Sequence, residues 1–495
     1  MGLKSLLSLP FAKSVVNKNN YWKNNAIKTQ DSLLLLLLEK AKDTRFGKDH
    51  FFSKIKNYTD WKNNVPIRDY ENLKNYIQQI IDGKENVLWP GVPLYFCKTS
   101  GTTSGTKYIP ISKDSMPYHI TAARDAILNY IAETNNTSIV NGKMIFLQGS
   151  PKLSKTGGVL TGRLSGIVAH HIPSYLRKNQ LPSYATNCII DWEEKIDVIV
   201  KETLPENMSI ISGIPPWVQM YFEKLQEKTG GLIKDVFPKF DLFIYGGVNY
   251  EPYRKSFEKL IGKTVDSLEL YPASEGFIAY QDSQKKEGML LCVNHGIFYE
   301  FIPSDEFFNE NPTRISLVDV KVSVDYVIIL NTNAGLWGYN IGDTIKFVSV
   351  DPYRIIVSGR IKHFTSAFGE HIIVEEVEKA LQESIVQLPA EVNEFHVAPQ
   401  VNPDSGLPYH EWLIEFEKEP KNIADFSKMV DDSLQRHNSY YKDLIVGGVL
   451  KPLIITRINK NGFRSYMKSI GKLGGQNKVP RLANNRKIAD KLNAF

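Results

Sequence analysis

Four short apolar runs limit what this chain can fold into more than anything else in it. They read KMIFLQGS (143–150), MSIISGI (208–214), FDLFIYGG (240–247) and DSLELYPAS (266–274), and each closes on small residues. Runs of this length suit strands and are too short for helices. Amphipathic stretches lie between them, WVQMYFEKLQEKTGG (217–231) and EPYRKSFEKLIG (251–262). Strand alternating with helix predicts an α/β domain, with ligand loops at the strand ends.

The flanking text has a different rhythm. Residues 20–90 read as helices with short turns; DSLLLLLLEKAKDTRFG and DYENLKNYIQQIIDGK are periodic, and each ends at a glycine. From about residue 288 the chain turns strand-rich, with GMLLCVNHGIFYEFIP, VDYVIILNT, TIKFVSV and RIIVSGR. That stretch predicts a mostly antiparallel or barrel-like part. Past SGRIKHF come a helix (HIIVEEVEKALQESI), two strands (NEFHVAPQV, YHEWLIEFE), a helix (NIADFSKMVDDSLQRHNSYY) and a strand (PLIITRIN). The expected fold class is therefore α/β: a large N-terminal domain, 1–358, and a smaller α+β C-terminal domain, 359–495.

Composition removes several classes. Three cysteines, Cys97, Cys188 and Cys292, make no disulfide framework, and their spacing fits no zinc pattern. A reducing cytoplasm is the expected setting. The run Leu33–Leu38 is far shorter than the ~20 residues of a membrane span. Asp31 and Ser32 can cap it as the start of a buried helix. Neither a secretory leader nor a myristoylation pattern is expected from MGLKSL and the residues after it. No Gly-x-Ser-x-Gly elbow and no His-Glu-x-x-His motif occurs. The net charge is +6, but from Lys451 onward eleven Lys or Arg residues face a single acid, Asp490. That local excess fits a solvated surface, a nucleic acid or a polyanionic small ligand such as ATP. No nucleic-acid motif accompanies it, so nucleic acid is not an expected partner.

One stretch stands apart in composition: CKTSGTTSGTKYIPIS, residues 97–112. Thr99, Ser100, Thr102, Thr103 and Ser104 offer hydroxyls, Gly101 and Gly105 allow close backbone approach, and Lys107 supplies a charge. It is not a Walker loop, because only three residues separate its glycines and Tyr108 follows Lys107. An apolar run before it and a helical pattern after it (KDSMPYHITAARDAILNYIAET) suggest strand, loop, helix, a layout that collects backbone N–H groups around an anion.

The loop's order of residues resembles the phosphate loop of adenylate-forming enzymes, most closely that of the Gretchen Hagen family of acyl-acid amido synthetases. Five further stretches resemble the family's motifs in the family's order. YGGVNYEPYR (245–254) looks like the adenine-side loop, with Gly246, Gly247 and Val248. ELYPASEGF (269–277) resembles the Tyr-x-x-Ser-Glu motif, with Tyr271 on the adenine, Pro272, Ala273 and Ser274 allowing close approach, and Glu275 holding Mg²⁺. YNIGD (339–343) resembles the Tyr-x-x-Gly-Asp motif, in which Asp343 accepts from the ribose hydroxyls. SGRIKHF (358–364) resembles the hinge, with Arg360 toward ribose or phosphate and the pivot near Lys362. GGQNKVPRL (474–482) resembles the C-terminal loop that brings a lysine, here Lys478, to the α-phosphate, with Gln476 and Arg481 nearby. The plant pattern has a lysine where His371 falls.

The resemblance implies a monomeric ATP- and Mg²⁺-dependent ligase, in which Lys478, Lys107 and Glu275 serve catalysis. It would activate a small carboxylic acid as its adenylate and transfer the acyl group to an amine, usually an amino acid. No membrane or nucleic-acid partner is implied. A thioester-forming ligase and a non-catalytic nucleotide-binding protein are the alternatives the residues leave open. Ile214, Pro216, Trp217 and Val248 either line the acyl pocket or pack as plain core.

Overall fold

The structure is a computed structural model that describes residues 3–100, 106–172, 177–248, 250–361, 364–365, 367–370, 372–470 and 479–494, with backbone alone at several positions including Ser100 and Arg360. The strands in chain order begin with β1 (Tyr95–Ser100), β2 (Thr106–Ile111), β3 (Lys143–Phe146), β4 (Ser154–Thr156), β5 (Val159–Gly162) and β6 (Gln180–Leu181). The four central ones are β7 (Met208–Ser212), β8 (Leu242–Gly246), β9 (Asp266–Ala273) and β10 (Gly276–Tyr280). Then come β11 (Met289–Leu291), β12 (Ile297–Pro303), β13 (Asp325–Thr332), β14 (Tyr339–Val350) and β15 (Tyr353–Arg360). Two short strands, β16 (Phe364–Thr365) and β17 (Ile372–Ile373), precede β18 (Glu391–Gln400), β19 (Tyr409–Lys418) and β20 (Ile454–Arg457).

The four apolar runs become β3, β7, β8 and β9. Every residue of β7 is buried, as a strand covered on both faces requires. These strands pair in parallel, with β6 beyond β3. They form one half of an eleven-stranded sheet of order β12-β13-β14-β15-β11-β10-β9-β8-β7-β3-β6. The strand-rich stretch supplies the antiparallel other half, joined through the β9–β10 hairpin and the β11–β15 pair. Among the described residues that half stays open at β12 and does not roll into a barrel. A four-stranded sheet, β2-β1-β5-β4, carries the Ser/Thr-rich stretch. The C-terminal part is α+β: a three-stranded sheet β18-β19-β20 with helices Val374–Gln387 and Ile423–His437.

Two local expectations need correction. The Leu-rich helix begins at Ala26, so Asp31 and Ser32 lie inside it and cap nothing. Tertiary anchoring sets that start. The Gln30 amide donates to the carbonyls of Val293 and Ile297 at 2.6 and 2.9 Å, and its oxygen accepts from the Tyr299 N–H at 2.8 Å. Leu34, Leu37 and Leu38 are buried while Leu35 and Leu36 are exposed, which is an amphipathic helix. The second correction concerns the Ser/Thr-rich stretch. Thr99 pairs with Lys107 and Ser100 with Thr106 in an antiparallel ladder, so the chain runs strand, loop, strand. The helix Met116–Thr134 starts only after β2. The β-branched, alternating TKYIPI favours strand, and its last three residues are buried. The helix N-terminus therefore does not follow the loop directly.

Candidate active site

Three of the sequence-derived motifs meet at the carboxyl end of β8 and β9. Gly246 pairs with Leu270 in the parallel ladder, which sets the end of β8 beside Tyr271. A Cβ on Gly246 would lie 2.3 Å from the Leu270 carbonyl oxygen, so only glycine fits this close approach. Gly247 follows with φ +75°, a left-handed conformation that favours glycine. On β9 the phenol of Tyr271 donates to Asp343 Oδ2 at 2.5 Å. Asp343 lies on β14 opposite Arg360 of β15. Gly342, at φ +86°, precedes it within β14, where the pairing with β13 is irregular, and the Ile361 N–H donates to the Gly342 carbonyl at 3.0 Å. Thus the Asp343 motif and the start of the hinge-like stretch are adjacent through the ladder.

Pro272 and Ala273 end β9, and Gly276 opens β10 opposite Ala273. Ser274 and Glu275 therefore form the tip of a tight hairpin. The Cys97 thiol donates to Ser274 Oγ at 3.2 Å, tying that tip to β1. Burial pushes the Cys97 thiol up to about 12, and the nearby Glu275 carboxylate adds to the shift. Two residues on, Thr99 faces Lys107 across the β1–β2 ladder, and the Lys107 ammonium lies 5.7 Å from the Tyr70 ring centroid. Gly101, Thr102, Thr103, Ser104, Gly105, Lys362, His371, Gln476 and Lys478 lie outside the described residues.

Arg481 is described, and its partners belong to the C-terminal part itself. It pairs with Glu378 at 2.5 Å and stacks 5.2 Å from the Phe395 ring centroid. Three more cations of the basic C-terminal stretch are paired in the same way. Arg457 pairs with Glu419, Lys460 with Glu417, and Arg486 with Glu411 and Asp490. The acids of YHEWLIEFEKE answer the cations that come after them in sequence.

The apolar candidates divide. Trp217 packs on Trp192 with centroids 4.9 Å apart, a core contact. Ile214 faces Gly369, 3.5 Å from a Cβ built there. Val248 lines a cavity of about 270 Å³ with Tyr253, Ala367, Val401, Asn402 and Arg486, between the end of β8 and the C-terminal part. Tyr253 donates to the Ala367 carbonyl at 2.9 Å at that wall. Sequence reasoning missed three contributors. The buried His410 Nε2 meets Glu370 Oε1 at 3.0 Å, and the Phe368 N–H donates to Glu370 at 2.8 Å, fixing the segment after the hinge-like stretch. Arg163, at the end of β5, pairs with Asp443 and stacks 4.1 Å from the Tyr440 ring centroid. Only the TGR sequence after an alternating strand marked Arg163, and that pattern is too common to single it out.

The eleven-stranded sheet with a small α+β part beside it is a fold that solved ligase structures share. An acyl acid amido synthetase matches with TM-score 0.62 at 17% identity, over 97% of this chain and 95% of its own. A 2-hydroxyisobutyryl-CoA ligase matches with TM-score 0.59 at 13% identity, over 94% and 91%. Family models match residues 17–188 (GH3 family N-terminal domain), 290–360 (GH3 family central domain) and 375–487 (GH3 family C-terminal domain). The chain belongs to the GH3 family, the Gretchen Hagen family its motifs resemble. A jasmonoyl–L-amino acid synthetase from Nicotiana attenuata is 22% identical over 68% of this chain and 69% of its own length. An indole-3-acetic acid-amido synthetase from Arabidopsis thaliana is 21% identical over 91% and 88%.

Proposed function

We propose that this protein uses ATP to activate a small carboxylic acid as its acyl adenylate, and then transfers the acyl group to an amine, an amino acid by preference. The observation that carries the reading is the Tyr271–Asp343 hydrogen bond. It joins two motifs 72 residues apart in the chain, beside the Gly246–Gly247 turn.

The chemistry explains the need for ATP. A carboxylate is anionic and its oxygen is a poor leaving group, so amines do not attack it. Attack of the carboxylate oxygen on the α-phosphorus forms a P–O bond and expels pyrophosphate. The amine then attacks the acyl carbonyl, AMP leaves with the bonding pair, and the amine proton passes to solvent or base. In the first step charge grows on phosphoryl oxygens. Lys107, the loop it borders and Lys478 are our candidates to meet that charge, and a lost donor of this kind costs on the order of 3 kcal/mol of barrier. Asp343 would accept from the ribose hydroxyls, and Tyr271 would stack on the adenine.

Among the described residues no cluster of three or more His, Cys, Asp or Glu side chains could hold a metal alone. A single carboxylate, Glu275, still fits Mg²⁺, which is usually held by one or two carboxylates plus substrate phosphates. Bound there, the ion would screen phosphate charge. We assign residues 1–358 to the nucleotide- and acyl-binding domain and 359–495 to a lid that reorients between the two half-reactions about a pivot near Lys362, with Arg360 toward the ribose or phosphate. The cavity at Val248 and Ala367 is our candidate route for the acceptor. A cytoplasmic monomer is the expected form. Among the described residues no helix is long and apolar enough to cross a membrane.

The test is carboxylate-dependent ATP–pyrophosphate exchange across a panel of carboxylic acids. Supplying amino acids or coenzyme A afterwards, and weighing the product, separates amide from thioester formation. Amide products support the reading. Exclusive thioester products replace the acceptor, and no ATP binding under any condition ends the whole proposal.

A further inference from the structure

Arg163 is the cation of this region that no motif anticipates. It follows Gly162, the parallel partner of Cys97, so it leaves the sheet where β1 runs toward Thr99. Its guanidinium lies over the Tyr440 ring and pairs with Asp443. The same Tyr440 donates from its hydroxyl to the Lys98 carbonyl at 3.2 Å. Both residues ride on the C-terminal helix Ser439–Val446, which Asn438 caps, and the Asn438 amide donates to Glu376 at 2.9 Å. One turn of a C-terminal helix thus grips the end of β1 and the arginine next to it.

The grip is an exchangeable one. The Arg163 side chain is 34% exposed and that of Asp443 61%. A wet ion pair of this kind is weak, and arginine's planar fork suits a phosphate at least as well as a carboxylate. We propose that Arg163 binds the β,γ-phosphates of ATP during adenylation, and that Asp443 competes with them for it. With ATP bound, Arg163 turns to the polyphosphate and the C-terminal helix loses its partner. Once pyrophosphate departs, Asp443 recovers the guanidinium and Tyr440 closes on Lys98. No bond to Arg163 forms or breaks; it changes counter-ion. The proposal rests on the adenylating function above and adds a residue and a coupling to it.

Titration calorimetry with magnesium pyrophosphate, and with ATP, tests this on the full chain without knowledge of the acid. R163Q should weaken pyrophosphate binding on the order of tenfold, the loss of one charge-assisted contact. R163K should recover part of that loss. D443N removes the competitor and should tighten pyrophosphate binding several-fold, a gain that a general structural defect does not produce. Thermal melts check that each variant is folded. Pyrophosphate binding unchanged in R163Q overturns the proposal, and so does D443N weakening it as R163Q does. Wild-type protein that binds neither ATP nor pyrophosphate would instead refute the adenylating function itself.

Discussion

Replacing Tyr271 by Phe removes one atom and one hydrogen bond while keeping the ring. The phenol donates to Asp343 Oδ2 at 2.5 Å, and Tyr271 is 8% exposed, so the bond is sheltered and charge-assisted. Hydrogen bonds to charged groups contribute about 1.5–3 kcal/mol. If that bond holds Asp343 in the pose that accepts the ribose hydroxyls, Y271F should raise the KM for ATP about tenfold, or ~1.4 kcal/mol, with a smaller change in kcat. Y271A also loses the stacking surface and should cost about a further tenfold. The assay is ATP–pyrophosphate exchange with the best acid found, run with ATP and with 2′,3′-dideoxy-ATP. A nucleotide without ribose hydroxyls has nothing to offer Asp343, so the Tyr-to-Phe penalty should vanish with it. A penalty of equal size for both nucleotides would refute the reasoning, because Tyr271 would then act without Asp343. So would Y271F that matches wild type with ATP.

Three further outcomes come from the geometry. G246A places a Cβ 2.3 Å from a backbone carbonyl, so β8 or β9 must shift; exchange activity should fall at least tenfold, with about 1–3 kcal/mol lost in urea melts. Arg314 makes a bidentate pair with Glu300 at 2.6 and 2.7 Å, and the Glu300 side chain is fully buried. R314M should therefore cost about 3–5 kcal/mol in urea melts, and adding E300Q should restore part of it. Burial, with Glu251 adding to it, raises the Glu269 carboxyl to about 6, above its unfolded value, so the folded state holds the extra proton. Stability should then fall as pH rises from about 4.5 to 6, and E269Q should flatten that slope and gain on the order of 1 kcal/mol at pH 7 after allowance for its partial exposure.

Much of the fold was legible because it rests on local pattern. The runs ending at Ser150, Ile214, Gly247 and Ser274 predicted strand–helix alternation, and burial on both faces accounts for the apolar character of β7 and most of β8, whereas β9 buries only Leu268 and Tyr271. The C-terminal strands and helices were equally plain, save that Asn438 ends one helix and caps the next. The antiparallel half was legible as strands. Its union with the parallel half in one open sheet was not, since pairing partners such as β11 and β15 are far apart in the chain. YIPIS reads as the end of the Ser/Thr-rich loop for a related reason: five residues carry too little pattern to mark a strand, and only pairing with β1 makes them one.

The sequence by itself determined which residue types stand at each motif: glycines at 246 and 247, Tyr271, Glu275, Asp343 and Lys107, in an order that resembles the motifs of the GH3 family. Local chemistry suffices there, because turns, close approach and charge are properties of single residues and their neighbours. Only the tertiary structure decided that Tyr271 reaches Asp343, that Arg481 and Arg486 spend their charge on acids of the C-terminal part, and that Arg163 meets Asp443 and Tyr440 from the far end of the chain. Those contacts span scores to hundreds of residues. Charge–charge and hydrogen-bond partners act over a few ångströms, so nothing in a linear pattern can name them until the sheet has brought their strands together.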